Sequence, residues 1–420
     1  MNLQMKNMLI AIKNALHNTS EPLVEPDYKV IFQNALKQSL LPIVFQGCYE
    51  QAQRDNYEKL SYVRTDVYNI ISMQTVMAYA FADVYEKFRE NGIKAVVLKG
   101  IVCRSLYGEL GNYRISADED VIIDTADFYK AKDILIGNGF VLEDENLPLN
   151  NLDDVQEATF VDKSSGLILE LHFNFFSNSS EMFKRINREF ENAFDNKITV
   201  NINDADFYTL DYTDNYLFLF FHLYKHFLGS GVGFRQITDL HMFETSYGRF
   251  IDWDRVEEML KRYSAWGFYG DILAVGNEYL GFKLSQRSPR VNPEMLIDDI
   301  EQAGVFGGKT EAQLRSAAFT RTALDDKKDK AFLKCLFPSV DKMKKGYPEL
   351  YEKPYLLPVV WVKRFAKNIA KFSRKGKWQD LIETNKIAKQ RKKRLLSVMT
   401  VVVQMFLRKY RIKTVPLITC

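Results

Sequence analysis

Residues 93–124 read IKAVVLKGIVCRSLYGELGNYRISADEDVIID. An apolar run, Val96-Val97-Leu98, breaks at Lys99-Gly100 and gives way to a helix-like segment; a second apolar run, Val121-Ile122-Ile123, is entered through Asp118 and Asp120. The pattern predicts strand, glycine turn, helix, turn and strand. Residues i and i+2 of a strand project from one face, so Asp118 and Asp120 point together and Glu119 points away. Two carboxylates so placed, roughly 6 Å apart along a strand, repel unless a cation sits between them. Magnesium suits the pair, because it takes one or two carboxylates, keeps waters and completes its shell with phosphate oxygens. The competing reading of a bare Asp-x-Asp is a solvated turn that merely ends a loop.

A third carboxylate favours the metal reading. Leu167-Ile168-Leu169-Glu170-Leu171-His172-Phe173 is another apolar strand, with Glu170 in its interior and His172 on the same side. A charge inside so apolar a strand is seldom buried unpaired. If this strand lies beside the first, Asp118, Asp120 and Glu170 converge on one site, as two-metal chemistry on a phosphoryl group requires. Lys99 and Arg114 then supply positive charge for a polyphosphate, and Gly100 lets the backbone approach it.

Together, Leu98-Lys99-Gly100, Leu106-Tyr107, Arg114-x-Ser116-x-Asp118-x-Asp120 and Glu170-Leu171-His172-Phe173 resemble the uncharacterised nucleotidyltransferase family of the DNA polymerase beta-like superfamily. The resemblance implies an α+β fold: a polymerase-beta-like core, a mixed sheet with helices, followed by a largely α-helical C-terminal domain. It makes Asp118 and Asp120 ligands of two magnesium (or manganese) ions and Glu170 the third ligand, close to the attacking hydroxyl. The turn at Gly100 takes the place of the loop that holds the nucleotide phosphates, with Lys99, Arg114, Ser116 and His172 around it. Ile101 departs from the Ser or Gly usual after that glycine. The resemblance also makes the helix containing His222, Lys225 and His226, with the following Arg235 to Asp239 segment, a partner that lines the nucleotide or acceptor cleft. Leu336-Phe337-Pro338, Tyr347-Pro348 and Leu357-Pro358 extend the likeness, which thus covers residues 90–400, with specific motifs only in 98–173.

Length and composition bound these expectations. The chain has 420 residues, 46% of them hydrophobic and 13% aromatic, enough for two or three folded cores and incompatible with a disordered protein. The N-terminus, MNLQMKNMLIAIKNAL, has no long apolar region and no small-residue cleavage site, so it reads as a helix of a cytoplasmic protein. Cys48, Cys103, Cys335 and Cys420 lie far apart and form no Cys-x-x-Cys pair, which suggests neither a zinc site nor a disulfide framework and fits a reducing compartment. Residues 26–90 read as helices that cap the sheet, with Ala35, Leu36, Leu40, Leu41 and Val44 in the first and Val67, Ile70, Ile71, Val76 and Phe81 in the second. A helix over 126–137, a strand over 140–142, and two strands around 159–161 and 168–173 complete the expected sheet. The expected division is an N-terminal helical cap over 1–90, a catalytic core over 91–210, a helical domain over 211–360 and a basic helical tail over 361–420.

Two further motifs compete with this reading. His222 and His226 lie one helical turn apart and suit zinc, but the residue after the first is Leu223 where a zinc protease needs Glu, and the plainer reading is two histidines at the rim of a helical core. Ala303-Gly304-Val305-Phe306-Gly307-Gly308-Lys309-Thr310 satisfies a loose P-loop pattern, yet the residues before it have the spacing of an amphipathic helix where a buried strand is required.

The chain is also divided in charge. Trp361 to Cys420 holds 17 Lys and Arg against two acids, a net +15, which leaves −12 on the remainder of a chain whose total is +3. Such a tail implies an anionic partner, nucleic acid or an anionic membrane surface, with peripheral attachment at the inner membrane face as one outcome. The run Leu395 to Leu407 is 13 residues, too short to span a bilayer but able to lie in its interface; the plainer alternative is a basic helix packed on the body.

The expected reaction moves a nucleoside monophosphate from an NTP to an acceptor hydroxyl or phosphate, releasing pyrophosphate, with a cell-envelope or polysaccharide precursor among the acceptors. The alternative is a catalytically degenerate module that docks on nucleic acid or membrane. Deleting Trp361 to Cys420 should abolish binding to anionic vesicles or RNA, and binding by the full chain should weaken steeply from low to high salt. Salt-insensitive binding would move that contact to the body.

Overall fold

The computed structural model describes residues 1–303 and 340–363, apart from 145–151, 153, 154, 179, 230, 285, 287, 290–292, 345 and 362. Its sheet grows from the apolar run Ala95–Val97 (β1), whose three side chains are all buried. The chain leaves this strand through Gly100, at φ +64°, into the short helix Ile101–Ser105 (α5) and returns as Glu119–Ile123 (β2), antiparallel to β1 with Val97 opposite Val121. After the helix Phe128–Gly137 (α6) come Phe140–Leu142 (β3), Glu157–Asp162 (β4) and Ile168–His172 (β5). Strand β5 pairs in parallel with β2, which sets Asp120 opposite Glu170 and Ile122 opposite His172.

A helix, Glu181–Arg188 (α7), and a hairpin, Ile198–Ile202 (β6) and Ala205–Thr209 (β7), follow. The hairpin turns through Asn203 and Asp204, both at positive φ, as a two-residue primed turn requires. Strand β7 lies parallel to β1, and the Thr209 hydroxyl donates to the Val97 carbonyl at 2.7 Å. The seven-stranded order is β3-β4-β5-β2-β1-β7-β6, so the two acid-bearing strands are interior. This is a mixed sheet in an α+β fold.

Helices precede and follow it: Leu3–His17 (α1), Tyr28–Lys37 (α2), Leu41–Arg54 (α3) and Leu60–Glu90 (α4), then Tyr212–Leu228 (α8), Phe234–Tyr247 (α9), Trp253–Arg262 (α10), Trp266–Tyr279 (α11) and Glu294–Ala303 (α12). Val340–Lys344 (α13) and Glu349–Glu352 (α14) are short. Helix α8 is apolar on nearly every side and correspondingly buried, its first turn closed by Asp211, which accepts from the amides of Thr213 and Asp214.

Strand alternation sorts the cores. Ala95, Val97, Val121, Ile123, Leu169 and Leu171 face one core, completed by Phe81, Tyr85 and Phe88 of α4 and Phe128 of α6. Val96, Leu98 and Ile122 face the other, shared with α1–α3 and α8–α12. By parity Asp118, Asp120, Glu170 and His172 belong to this second face. The sheet is thus lidded on one side by α4 and α6 and backed on the acid-bearing side by α8.

Some expectations are corrected. The single early helix expected through Ala35 and Val44 is two, because Ser39 at φ +53° breaks the chain between α2 and α3. Leu36 and Val76, placed on buried faces by their spacing, are exposed. Only the C-terminal half of α4 caps the sheet; α1–α3 pack instead with the later helices, where His17 Nε2 lies 2.8 Å from the Leu280 carbonyl and the Gln38 amide joins Phe234 to Ile300. Elements α7, β6 and β7 were not anticipated. The residues before the loose P-loop form a helix, α12, as expected; Gly304 to Thr310 and nearly all of the basic tail lie outside the described residues. Among the described residues no helix is long and apolar enough to cross a membrane.

The contact between α1 and α3 is close enough to require glycine at Gly47, where an added Cβ would stand 1.8 Å from the Ala11 carbonyl oxygen. Gly47→Ala is therefore expected to destabilise the fold by about 2 kcal/mol or more, since the strain falls on backbone and not on a movable side chain. Gly137→Ala, with open space around it, should change stability by less than about 1 kcal/mol. Denaturant melts of both variants check this, and equal effects would remove the close-approach explanation.

Candidate active site

The site is built by one strand pairing. Because β2 and β5 run parallel with Asp120 opposite Glu170, their carboxylates meet across adjacent strands on the face beneath α8. Asp120 is fully buried, while Asp118 and Glu170 are half-buried. Lys99 Nζ, just beyond β1, lies 3.4 Å from Asp118 Oδ1 and 3.0 Å from Asp120 Oδ2. His172 Nε2 lies 3.2 Å from Asp120 Oδ1 and 3.5 Å from Glu170 Oε2, and its Nδ1 is 3.4 Å from the Asn174 carbonyl and 3.7 Å from Glu157 Oε2. One ligand atom from each of Asp120, Glu170 and His172 lies within 4.8 Å of the others.

Expected as three carboxylates, the tightest group among the described residues is thus two carboxylates and an imidazole, with Asp118 joined to it through Lys99. Lys99 and His172, placed around the nucleotide by sequence, stand between the acids.

The charges explain how the cluster is tolerated. Burial works against ionising Asp120, but Lys99 and His172 outweigh it and hold its carboxyl well below the usual range. Burial likewise opposes the Lys99 ammonium, and the carboxylates of Asp120, Asp118 and Glu170 more than reverse that. Burial pulls His172 down, yet hydrogen bonds to Asp120 and Glu170 push it up to about 9. Asp118 is raised by burial, an effect Lys99 partly offsets.

The reverse face of β2 does different work. Glu119, fully buried, accepts the Ile101 N–H at 2.7 Å through Oε2 and faces Arg104 at 3.5 Å through Oε1. Arg104 donates to the backbone and side-chain oxygens of Gln74, and the Gln74 amide clasps Ser116 by both its N–H and its carbonyl. A Cβ on Gly100 would stand 1.9 Å from Glu119 Oε2, so the glycine is required both for its positive φ and for this approach. Burial lifts Glu119 to about 7 against the pull of Arg104. Glu119, Arg104 and Gln74 were missed by sequence reasoning; the signal was an acid between two others on a strand whose inner face is apolar.

Of the remaining sequence candidates, Arg114 is engaged within the protein. It grips Asp239 with Nε at 3.0 Å and Nη2 at 2.7 Å, and its Nη1 donates to Ser116 Oγ. Tyr107 donates its hydroxyl to the same Asp239, and Ser116 donates to the Asp118 carbonyl. Arg114, Ser116 and Asp239 therefore tie α9 to the loop before β2. Arg235 donates to the Ile115 carbonyl at 2.7 Å and lends positive charge to Asp118. From α8, the Lys225 ammonium is held below its ordinary value by burial, opposed by the carboxylate of Glu157. His222 is held well below its ordinary value by burial and by the charges of Lys99 and Lys225, and it lies against His226 at 4.6 Å between centroids. Lys99, Lys225 and Arg235 thus place positive charge beside the acids, an arrangement able to hold a polyanion against a metal-binding group.

A family model described as "Uncharacterised nucleotidyltransferase" matches residues 25–281, from just before α2 to just after α11. The likeness therefore takes in the early helices and stops at 281, which corrects the range of 90–400 expected from the motifs. No curated protein and no solved structure matches the chain.

The Gly100–Glu119 contact is testable as a coupled pair. Gly100→Ala should destabilise strongly, whereas adding Glu119→Ala should relieve its clash, so the double variant loses less than the sum of the singles by about 1–3 kcal/mol. Additive losses in denaturant melts would mean that the two residues do not press on one another.

Proposed function

The chain belongs to the uncharacterised nucleotidyltransferase family, and on that premise we propose that it moves a nucleoside monophosphate from an NTP to an acceptor hydroxyl or phosphate in a reaction dependent on a divalent metal. As a nucleotidyltransferase it is an enzyme that transfers phosphorus-containing groups. The observation that carries the finer reading is the group formed by Asp120, Glu170 and His172, whose donor atoms lie within 4.8 Å of one another beside Asp118. This donor set fits a divalent ion, and Asp118, Asp120 and Glu170 are the carboxylates that would hold Mg²⁺ or Mn²⁺. The ion, when bound, supplies charge neutralisation at the phosphoryl oxygens.

In this reading the acceptor oxygen forms a bond to the α-phosphorus, the bond from that phosphorus to the β-phosphate bridge breaks, and pyrophosphate leaves. Glu170, half-buried and opposite Asp120, takes the acceptor proton. Lys99, Lys225 and Arg235 hold the triphosphate, and the Arg114–Asp239 pair fixes the loop that presents Asp118. Burial of the acids keeps these interactions strong by excluding water. The +15 of residues 361–420 favours an anionic or membrane-held acceptor, such as a cell-envelope or polysaccharide precursor.

Two measurements test the proposal. By calorimetry the protein should bind NTP with Mg²⁺ or Mn²⁺ and not in EDTA; equal binding in both removes the metal-bridged site. With labelled NTPs and a panel of acceptors, Asp120→Asn should lower the transfer rate at least ~10²-fold, the scale for losing one charge-stabilising group in a preorganised site. Transfer at the wild-type rate would refute the assignment.

A further inference from the structure

The position of His172 is not explained by a general role in holding the nucleotide. It is 1% exposed, and its Nε2 is aimed between the two carboxylates that face one another across β2 and β5, at 3.2 Å from Asp120 and 3.5 Å from Glu170. Its other nitrogen, Nδ1, points to the Asn174 carbonyl at 3.4 Å, beside Glu157. This is the arrangement by which proteins orient a metal-binding imidazole: one nitrogen is fixed by a backbone or carboxylate acceptor, and the other is directed at the ion. His172 stands directly opposite Ile122 in the strand register, so the ring is pinned by the sheet and not by a loop. Asp120 Oδ2 is buried and paired with the Lys99 ammonium at 3.0 Å, while Oδ1 faces His172 Nε2, so the imidazole and one carboxylate oxygen of Asp120 are turned toward the same space as Glu170.

We infer that the ion held by Asp120 and Glu170 takes His172 Nε2 as a further protein ligand, which gives a mixed nitrogen and oxygen donor set selective for first-row transition ions over Mg²⁺. The inference rests on the metal-dependent reading given above and specifies its cofactor. Magnesium demands oxygen ligands and gains little from imidazole, whereas Mn²⁺, Co²⁺ and their neighbours bind nitrogen progressively better. The bond forms from the Nε2 lone pair, and any proton carried there leaves to solvent, so ion uptake is accompanied by proton release.

The test uses the full chain with Mn²⁺ and Mg²⁺ as probes. In protein labelled with ¹⁵N-histidine and loaded with Mn²⁺, pulsed electron paramagnetic resonance should detect a directly bound ring nitrogen, and His172→Gln should lose that coupling although His222 and His226 remain. By calorimetry the wild type should bind Mn²⁺ at least ~10²-fold more tightly than Mg²⁺, and His172→Gln should lose about 10–100-fold in Mn²⁺ affinity with less than about a threefold change for Mg²⁺. Bound Mn²⁺ without nitrogen coupling, or coupling that survives in His172→Gln, overturns the histidine ligand and leaves the metal-dependent reading standing. Failure of both ions to bind the wild type, with NTP present and absent, overturns both readings. If His172→Gln does not fold, the nitrogen coupling is expected to persist in the double variant His222→Gln/His226→Gln, and its absence there, or in the wild type, overturns the histidine ligand.

Discussion

The register of β2 against β5 is the constraint on which the site depends. Pairing these strands in parallel puts Asp120 opposite Glu170 at the fixed spacing of neighbouring strands, and no side-chain choice can move them apart. Like charges so close resist that pairing, and the chain answers with Lys99 and His172 placed between the acids. Burying these groups has a desolvation cost that their mutual attraction only partly repays, so the sheet must be held by other means. Those means are the two apolar cores on its faces, with α4 and α6 on one side and α8 on the other.

Strand β2 divides its labour by alternation. On one face Asp118 and Asp120 enter the acid cluster; on the other, Glu119 anchors the amide of Ile101 and meets Arg104, thereby fixing the Gly100 turn behind that cluster. A shift of one residue would exchange these duties and turn Glu119 into the acid cluster. The Arg114–Asp239 pair performs a related service at longer range, setting the distance between α9 and the loop that leads into Asp118. Positive charge is thus used in two ways around the site: Arg104 and Arg114 are consumed by the architecture, and Lys99, Lys225 and Arg235 border the acids.

Much of this was legible in the sequence. The runs at 96–98, 121–123 and 168–172 are apolar enough to be strands in any reading, and the Lys99-Gly100 break and the Asn138-Gly139 stop mark where the chain turns. The convergence of Asp120 with Glu170 followed from parity once the strands were assumed to be neighbours. What was not legible depended on partners distant in the chain. Arg114 and Asp239 are 125 residues apart, so nothing local shows that one neutralises the other. The hairpin of β6 and β7 mixes Thr, Asn and Asp with its apolar residues, and β7 becomes a strand through its pairing with β1. The break between α2 and α3 rests on one left-handed residue, Ser39, which carries no glycine signal.

The packing of α1–α3 has a consequence for the growing chain on the ribosome. Met8, Ile12, Ile31 and Val44 are buried in the core completed by α8–α12, and the link from His17 to Leu280 spans 263 residues. These helices are synthesised before α8–α12 and complete their cover only with them. At 5–20 residues per second, about 13–50 s pass between the synthesis of α1 and that of its partner α11. Over that interval α1–α3 can pack on one another, while the apolar faces they turn toward α8–α12 still lack their cover, so this architecture leaves its unmet apolar surface in its early helices, far from the acid cluster.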